Sequence, residues 1–233
     1  MKRKALLLIF TAVLAFAARA NADQLLFGFT GFDYQDPNFS GTYLDLGEGY
    51  NVLGFITSVG PLLDPYVDLT VDENTLQVHN LTVIARFFAS PNLTVQFANG
   101  GRATYYRDPK VGGASHADYG VNPPNATAPS TFIDGSMRLT GSVDNFVLTY
   151  NFTTNQGNFA GNMTIDGGPD QIYIPPDAYA GWILGGLAGN GLSGPPNVPV
   201  PQGYDHQVSG ECRHPDVTPT TSSTWGALKA LYR

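Results

Sequence analysis

Strict alternation is the feature that most constrains this chain. Phe146, Leu148, Tyr150 and Phe152 alternate with Val147, Thr149, Asn151 and Thr153, and the pattern resumes at Phe159, Gly161, Met163 and Ile165. Apolar residues two apart share one face of a strand, so this is a half-buried hairpin turning at Thr154-Asn155-Gln156-Gly157. Leu93, Val95 and Phe97 lead into Asn99-Gly100, a strong hairpin signal, with Ala103–Tyr106 as the expected return strand. Val67, Leu69 and Val71 precede Asp72-Glu73-Asn74, and Leu76 and Val78 follow. Leu81 and Val83 then carry the apolar pattern on the opposite parity, which places a β-bulge near His79. Further strands are expected at Leu25–Tyr34, Tyr50–Val59, Met137–Ser142 and Tyr204–Arg213.

Short strands between turn signals, without an amphipathic helix before the last dozen residues, predict an all-β fold. The expectation is a single antiparallel β-sandwich, jelly-roll-like, with a closed β-barrel as the alternative and a short C-terminal helix. Two stretches rich in Gly and Pro interrupt the rhythm: Arg107–Phe132 and Pro169–Gly203. Both are expected as long loops, with the apolar Ala178–Leu192 part of the second folding as a flap across one end of the sheet. Loops of this length often carry function, so any ligand site is expected beside them.

The start of the chain supplies a compartment. Met1-Lys2-Arg3-Lys4 is basic, Ala5–Ala18 is apolar apart from Thr11, and Ala20-Asn21-Ala22 has the small-residue form of a cleavage site. This is the layout of a secretory signal peptide over residues 1–22. It leaves a β domain at 23–216, a Thr/Ser/Pro linker at 217–224 and a C-terminal motif at 225–233. Loss of Lys2, Arg3, Lys4 and Arg19 would move the formal charge from −7 to −11. Such acidity excludes nucleic acid and anionic lipid as natural partners. A single cysteine, Cys212, excludes an intrachain disulfide framework and a thiolate zinc cluster, and a buried inert thiol is expected there.

Catalytic motifs are scarce. His79, His116, His206 and His214 lack metalloprotease spacing, and Gly191-Leu192-Ser193-Gly194 lacks the second glycine of a nucleophile elbow. Glu211 is the best candidate acid for glycoside hydrolysis, which needs a second carboxyl nearby. Asp166 and Asp170 flank a turn and are the candidate ligands for a structural Ca²⁺; Asp64, Asp68 and Asp72 recur every fourth residue without an EF-hand pattern. Tyr105, Tyr106, Tyr119 and Trp182 are the candidate ligand-binding aromatics, since exposed rings stack on sugars and anchor interfaces. The competing expectation for them is an aromatic β core. Trp225, Leu228 and Tyr232 recur at helical spacing, flanked by Lys229 and Arg233, as an attachment motif behind the linker.

In layout, the signal peptide, the Asp/Asn/Gly-rich β domain, Pro199-Val200-Pro201 and the short tail resemble bacterial secreted surface proteins of the PEP-CTERM and choice-of-anchor kind. The hydrophobic sorting span and terminal Arg cluster of that group have no counterpart here. The resemblance implies an extracellular or cell-surface role and carries over no catalytic residue. The expected function is a secreted, non-enzymatic β domain that binds a glycan or an envelope protein. The alternatives are a matrix component attached through its tail and a carbohydrate-active enzyme.

Overall fold

The computed structural model describes residues 24–110, 112–119, 129–190 and 199–215. The signal peptide, the linker and the tail motif expected from sequence lie outside these residues. The described chain is all-β. Its strands are β1 (Gln24–Gln35), β2 (Gly49–Val59), β3 (Asp72–Ala89), β4 (Asn92–Phe97), β5 (Gly101–Pro109), β6 (Ser136–Asn151), β7 (Gln156–Gly167), β8 (Trp182–Gly189) and β9 (His206–His214). One short helix, α1 (Pro129–Ile133), and 3-10 turns at Pro169–Tyr173 and Pro176–Ala178 lie between them.

All pairings are antiparallel, and nearly every strand pairs with its neighbour in sequence. β9 returns to pair with β1, from Gln24 opposite His214 to Asp33 opposite His206. The sheet therefore closes into an eight-stranded, up-and-down barrel. The barrel alternative holds, and the two-layer sandwich gives way to it because β2–β3 and β5–β6 pairings seal the gap that would separate two sheets.

Nine strands make eight lanes because β4 and β5 share one. Both pair with β3 on one side and β6 on the other, and they run in the same direction. Asn99-Gly100 is thus a kink within one lane, not the reversal expected from sequence. The chain reverses at Ser90-Pro91, between the paired residues Ala89 and Asn92. The bulge expected near His79 is present: Asn80 has φ 60°, and Leu76 and Val78 before it and Leu81 and Val83 after it all point inward. The hairpin at 154–157 is also present, with Asn151 opposite Gln156.

The barrel interior is packed. Phe29, Phe97, Phe146, Phe159 and Tyr50 form a connected aromatic core. Inward glycines make room for these rings: a Cβ on Gly210 would lie 2.7 Å from Phe29 Cζ, and one on Gly186 would lie 2.9 Å from Phe159 Cζ. Small residues facing large ones are how a narrow barrel fills without voids. This also explains why Ala178–Leu192 is not a flap. Residues Trp182–Gly189 within it form β8, a barrel strand whose Gly185 and Gly186 suit the crowded wall between β7 and β9.

The outer face of β6 and β7 carries Thr140, Ser142, Asp144, Asn158, Asn162 and Thr164, the wet side of the alternation. β1 differs, for both its faces are apolar. Phe27 and Phe29 face the interior, while Phe32 and Tyr34 face outward into a second core. The excursion after β5 folds back to cover them: Tyr119 packs edge-on against Phe32 at 4.7 Å, and Phe132 sits 5.2 Å from Phe55. Thr75 Oγ1 donates to the Phe132 carbonyl at 2.6 Å and fixes the end of α1. Each buried ring contributes about 2–3 kcal/mol.

Candidate functional site

The segment joining β2 to β3 builds an open groove at one end of the barrel. Leu63 and Val67 are buried in the barrel end, four residues apart. Backbone bonds from Leu63 and Asp64 to Gly60, and from Tyr66 to Leu63, curl the chain between them. With those two anchors inside, Asp64, Tyr66 and Asp68 are left on the outer rim. Together with Thr57, Ser58 and Asp72 they line an open groove of about 720 Å³. The four-residue recurrence of Asp64, Asp68 and Asp72 seen in sequence is therefore a shared site in space.

Tyr66 stacks on Tyr173 with ring centroids 3.5 Å apart and planes 8° from parallel. Tyr173 ends the first 3-10 turn after β7, so the second long stretch does reach this site. Arg107 Nη1 donates to the Tyr66 carbonyl at 2.8 Å, and its Nε lies 3.9 Å from Asp72. Asp68 Oδ1 accepts from the Thr70 hydroxyl at 2.6 Å and the Thr70 backbone N–H at 2.8 Å; these bonds hold its carboxyl below the usual range. The result is a preformed rim of carboxylates beside an aromatic stack, of a size that suits a small ligand.

A second polar cluster closes the opposite end of the barrel. Asp33, fully buried, accepts from Tyr50 Oη at 3.0 Å and from the His206 backbone N–H at 2.6 Å. Tyr43, from the β1–β2 loop, places Oη 3.2 Å from His206 Nδ1, and the Tyr150 ring lies 4.5 Å from the imidazole. Burial opposes a charge on His206, but the hydrogen bond and charge of Asp33, with Asp205 beside it, raise its pKa overall. Burial, then the Asp33 charge, pushes Asp205 up to about 6, although Gln35 donates to it at 3.0 Å. Glu48 organises the loop that carries Tyr43: its carboxylate accepts from the backbone N–H groups of Phe39, Ser40 and Asp45 and from the Ser40 hydroxyl.

A third cluster joins Asp108, His116 and Asp134, whose ligand atoms all lie within 4.8 Å of one another. This is a candidate metal-binding triad, and sequence reasoning missed it because its members come from a strand end, a loop and the exit of α1. The two expected calcium ligands are placed otherwise. Asp166 receives both Arg102 Nη groups, at 2.5 and 2.9 Å, and Asp170 is buried against Arg138.

The remaining candidates scatter. Tyr105 is buried, donating to Asn74 Oδ1 at 2.6 Å, and Tyr106 is half-buried on the other face of β5. Tyr119 belongs to the outer core, and Trp182 is buried with Nε1 donating to the Ala178 carbonyl at 2.6 Å. The exposed aromatic beside a groove is instead Tyr66, which carries no motif in sequence. Glu211 stands on the outer face of β9, paired with Arg213, in a smaller groove of about 380 Å³ with Gly28, Ser58 and Ser209. No second carboxylate lines that groove among the described residues. Cys212 is buried 3.7 Å from Met163 Sδ, and burial pushes its thiol pKa up.

Fold and grooves define a closed, internally packed antiparallel barrel whose candidate sites lie at its ends and on its outer face. In comparisons with known proteins, no family model, curated protein or solved structure matches the chain.

Proposed function

We propose that this is an exported, non-catalytic carbohydrate-binding β-barrel of a bacterial surface or secretome, which takes a neutral or amino-bearing oligosaccharide in the Asp64–Tyr66–Asp68 groove. The observation that carries this reading is the Tyr66–Tyr173 stack beside three carboxylates. Aromatic rings present an apolar face to a sugar ring, and carboxylates accept its hydroxyl protons. The same carboxylates repel uronate and sulfated sugars. The filled interior directs binding to the outside, and the polar outer face of β6–β7 is the reverse of a membrane barrel's lipid-facing band.

Hydrolysis has less support, because Glu211 stands without the second carboxylate that the reaction needs. Calcium at Asp166 and Asp170 would have to displace Arg102 and Arg138, so a metal role falls to the triad instead. The test is titration with neutral, amino and acidic oligosaccharides. Binding of the first two, lost in Tyr66→Ala and weakened at least tenfold in Asp64→Asn, supports the reading. Absence of binding, or binding unchanged by both substitutions, overturns it.

A second reading, a matrix component that contacts other envelope proteins, draws on the β3–β4 hairpin. Toward its tip it exposes Phe87 and Phe88, with Phe88 packed against Phe152, and Ile84 is exposed farther down β3. Clustered exposed aromatics are common at protein contacts. Retention on cells that survives Phe87→Ser/Phe88→Ser would remove this reading.

A further inference from the structure

The excursion after β5 covers an outer apolar layer, yet the single cysteine leaves it without a disulfide staple. Within it, residues 112–119 carry His116 to the end of the β3–β5 pair. There, His116 Nε2 lies 2.9 Å from Asp108 Oδ2 and 3.7 Å from Asp134 Oδ2. The other ring nitrogen, Nδ1, faces Glu73 Oε1 at 3.7 Å. Glu73 is 1% exposed, and both its oxygens lie 3.1 Å from the Ala117 backbone nitrogen that donates to them. Gly135 completes the approach: a Cβ there would meet the Arg107 carbonyl at 2.8 Å, so only glycine lets Asp134 stand beside Asp108.

This arrangement has two layers. One imidazole nitrogen and two carboxylates converge on a half-exposed point, and a buried carboxylate stands behind the imidazole's far nitrogen. A carboxylate behind a histidine is the usual device for orienting a metal-bound imidazole. It is hard to explain as a surface ion pair, which would not need a carboxylate withdrawn from water.

We propose that Asp108, His116 and Asp134 form a site for a first-row divalent transition metal, with Glu73 orienting the imidazole, and that the ion staples the 112–119 segment to the barrel wall. In the metal-bound form Nε2 gives its lone pair to the ion, and the ring's N–H on Nδ1 is directed at Glu73. A donor set of one nitrogen and two carboxylates suits Zn²⁺, Co²⁺ or Mn²⁺ and leaves positions for water. It is a poor Ca²⁺ site, since Ca²⁺ takes six to eight oxygens. Because the ligands come from β5, the loop and the exit of α1, occupancy stabilises the outer core of Phe32, Phe55, Tyr119 and Phe132.

The test uses the purified protein stripped with EDTA. Added Zn²⁺ should raise Tm by roughly 5–10 °C at about a hundredfold excess over Kd. Co²⁺ should give visible d–d absorption bands. His116→Ala should abolish both effects, and Glu73→Gln should weaken Zn²⁺ binding by about 10–100-fold. Should His116→Ala fail to fold, Asp134→Asn at an exposed position serves instead, with the same loss expected. No Zn²⁺ shift together with no Co²⁺ band, or effects that persist in the ligand variants, would overturn the proposal. An equal Tm rise with Ca²⁺ would overturn the assigned metal class.

Discussion

Asp33 and His206, 173 positions apart in the chain, meet across the β1–β9 seam. One Asp33 oxygen accepts the His206 backbone N–H at 2.6 Å, and the other lies 3.3 Å from its Nδ1. The pair sits among Tyr43, Tyr50, Tyr150 and Asp205, at the junction that closes the barrel.

Closure should therefore weaken as pH rises. His206 holds its proton more tightly folded than unfolded, so its contribution is fully present below its ordinary pKa of 6.5 and is lost as pH rises through the raised folded value. Asp205 has the same sign: its pKa rises from 3.8 to about 6, so its contribution is present below pH 3.8 and lost as pH climbs through 6. Melting curves between pH 4 and 8 check both. Asp205→Asn should gain on the wild type between pH 4 and 6, and the wild type's advantage over His206→Gln should shrink above pH 6.5. Differences that stay constant with pH would remove this account.

Gly210→Ala should destabilise the barrel by about 1–3 kcal/mol in urea titration. The new methyl would lie 2.6 Å from the Gly185 carbonyl oxygen and 2.7 Å from Phe29, and the backbone atom cannot yield. Gly167→Ala is the matched control. Its methyl meets only Thr140 Cγ2, at 3.1 Å, and a cost as large as that at Gly210 would contradict the packing explanation.

Asp170 and Asp166 should respond very differently to loss of charge. Asp170 is fully buried between Arg138 and Arg107, so Asp170→Asn leaves guanidinium charge facing a neutral group and should cost about 3–5 kcal/mol. Asp166 pairs with Arg102 at the surface, and Asp166→Asn should cost at most about 1 kcal/mol. Equal effects in urea titration would show that burial does not separate the two pairs.

In β6 and β7, where one strand face meets water, the alternation is readable in the sequence. The parity slip at His79 marked a real bulge, and Asn155-Gln156-Gly157 marked a real turn. The kink at Gly100 misled because its φ of 93° suits a break within a lane as well as a hairpin. The true reversal at Ser90-Pro91 lay hidden beside the apolar Phe87-Phe88. β8 was obscured because its glycines answer to Phe159 on the neighbouring strand, a demand set by packing across the wall. The candidate sites were less legible still. The spacing of Asp64, Asp68 and Asp72 was visible, but Tyr66 meets Tyr173, and His116 meets Asp134, only once the barrel has closed.

The pairing of β1 with β9 has a consequence for how such a chain is made. Until β9 is complete, β1 exposes one open hydrogen-bonding edge and waits for partners on both faces: the interior core on one side and the layer of Tyr119 and Phe132 on the other. An unpaired apolar edge is a template for wrong pairing, and contacts this distant in sequence form slowly. Any cellular factor that guards this protein before it folds should therefore recognise the segment Leu25–Tyr34, the stretch that waits longest for its neighbours.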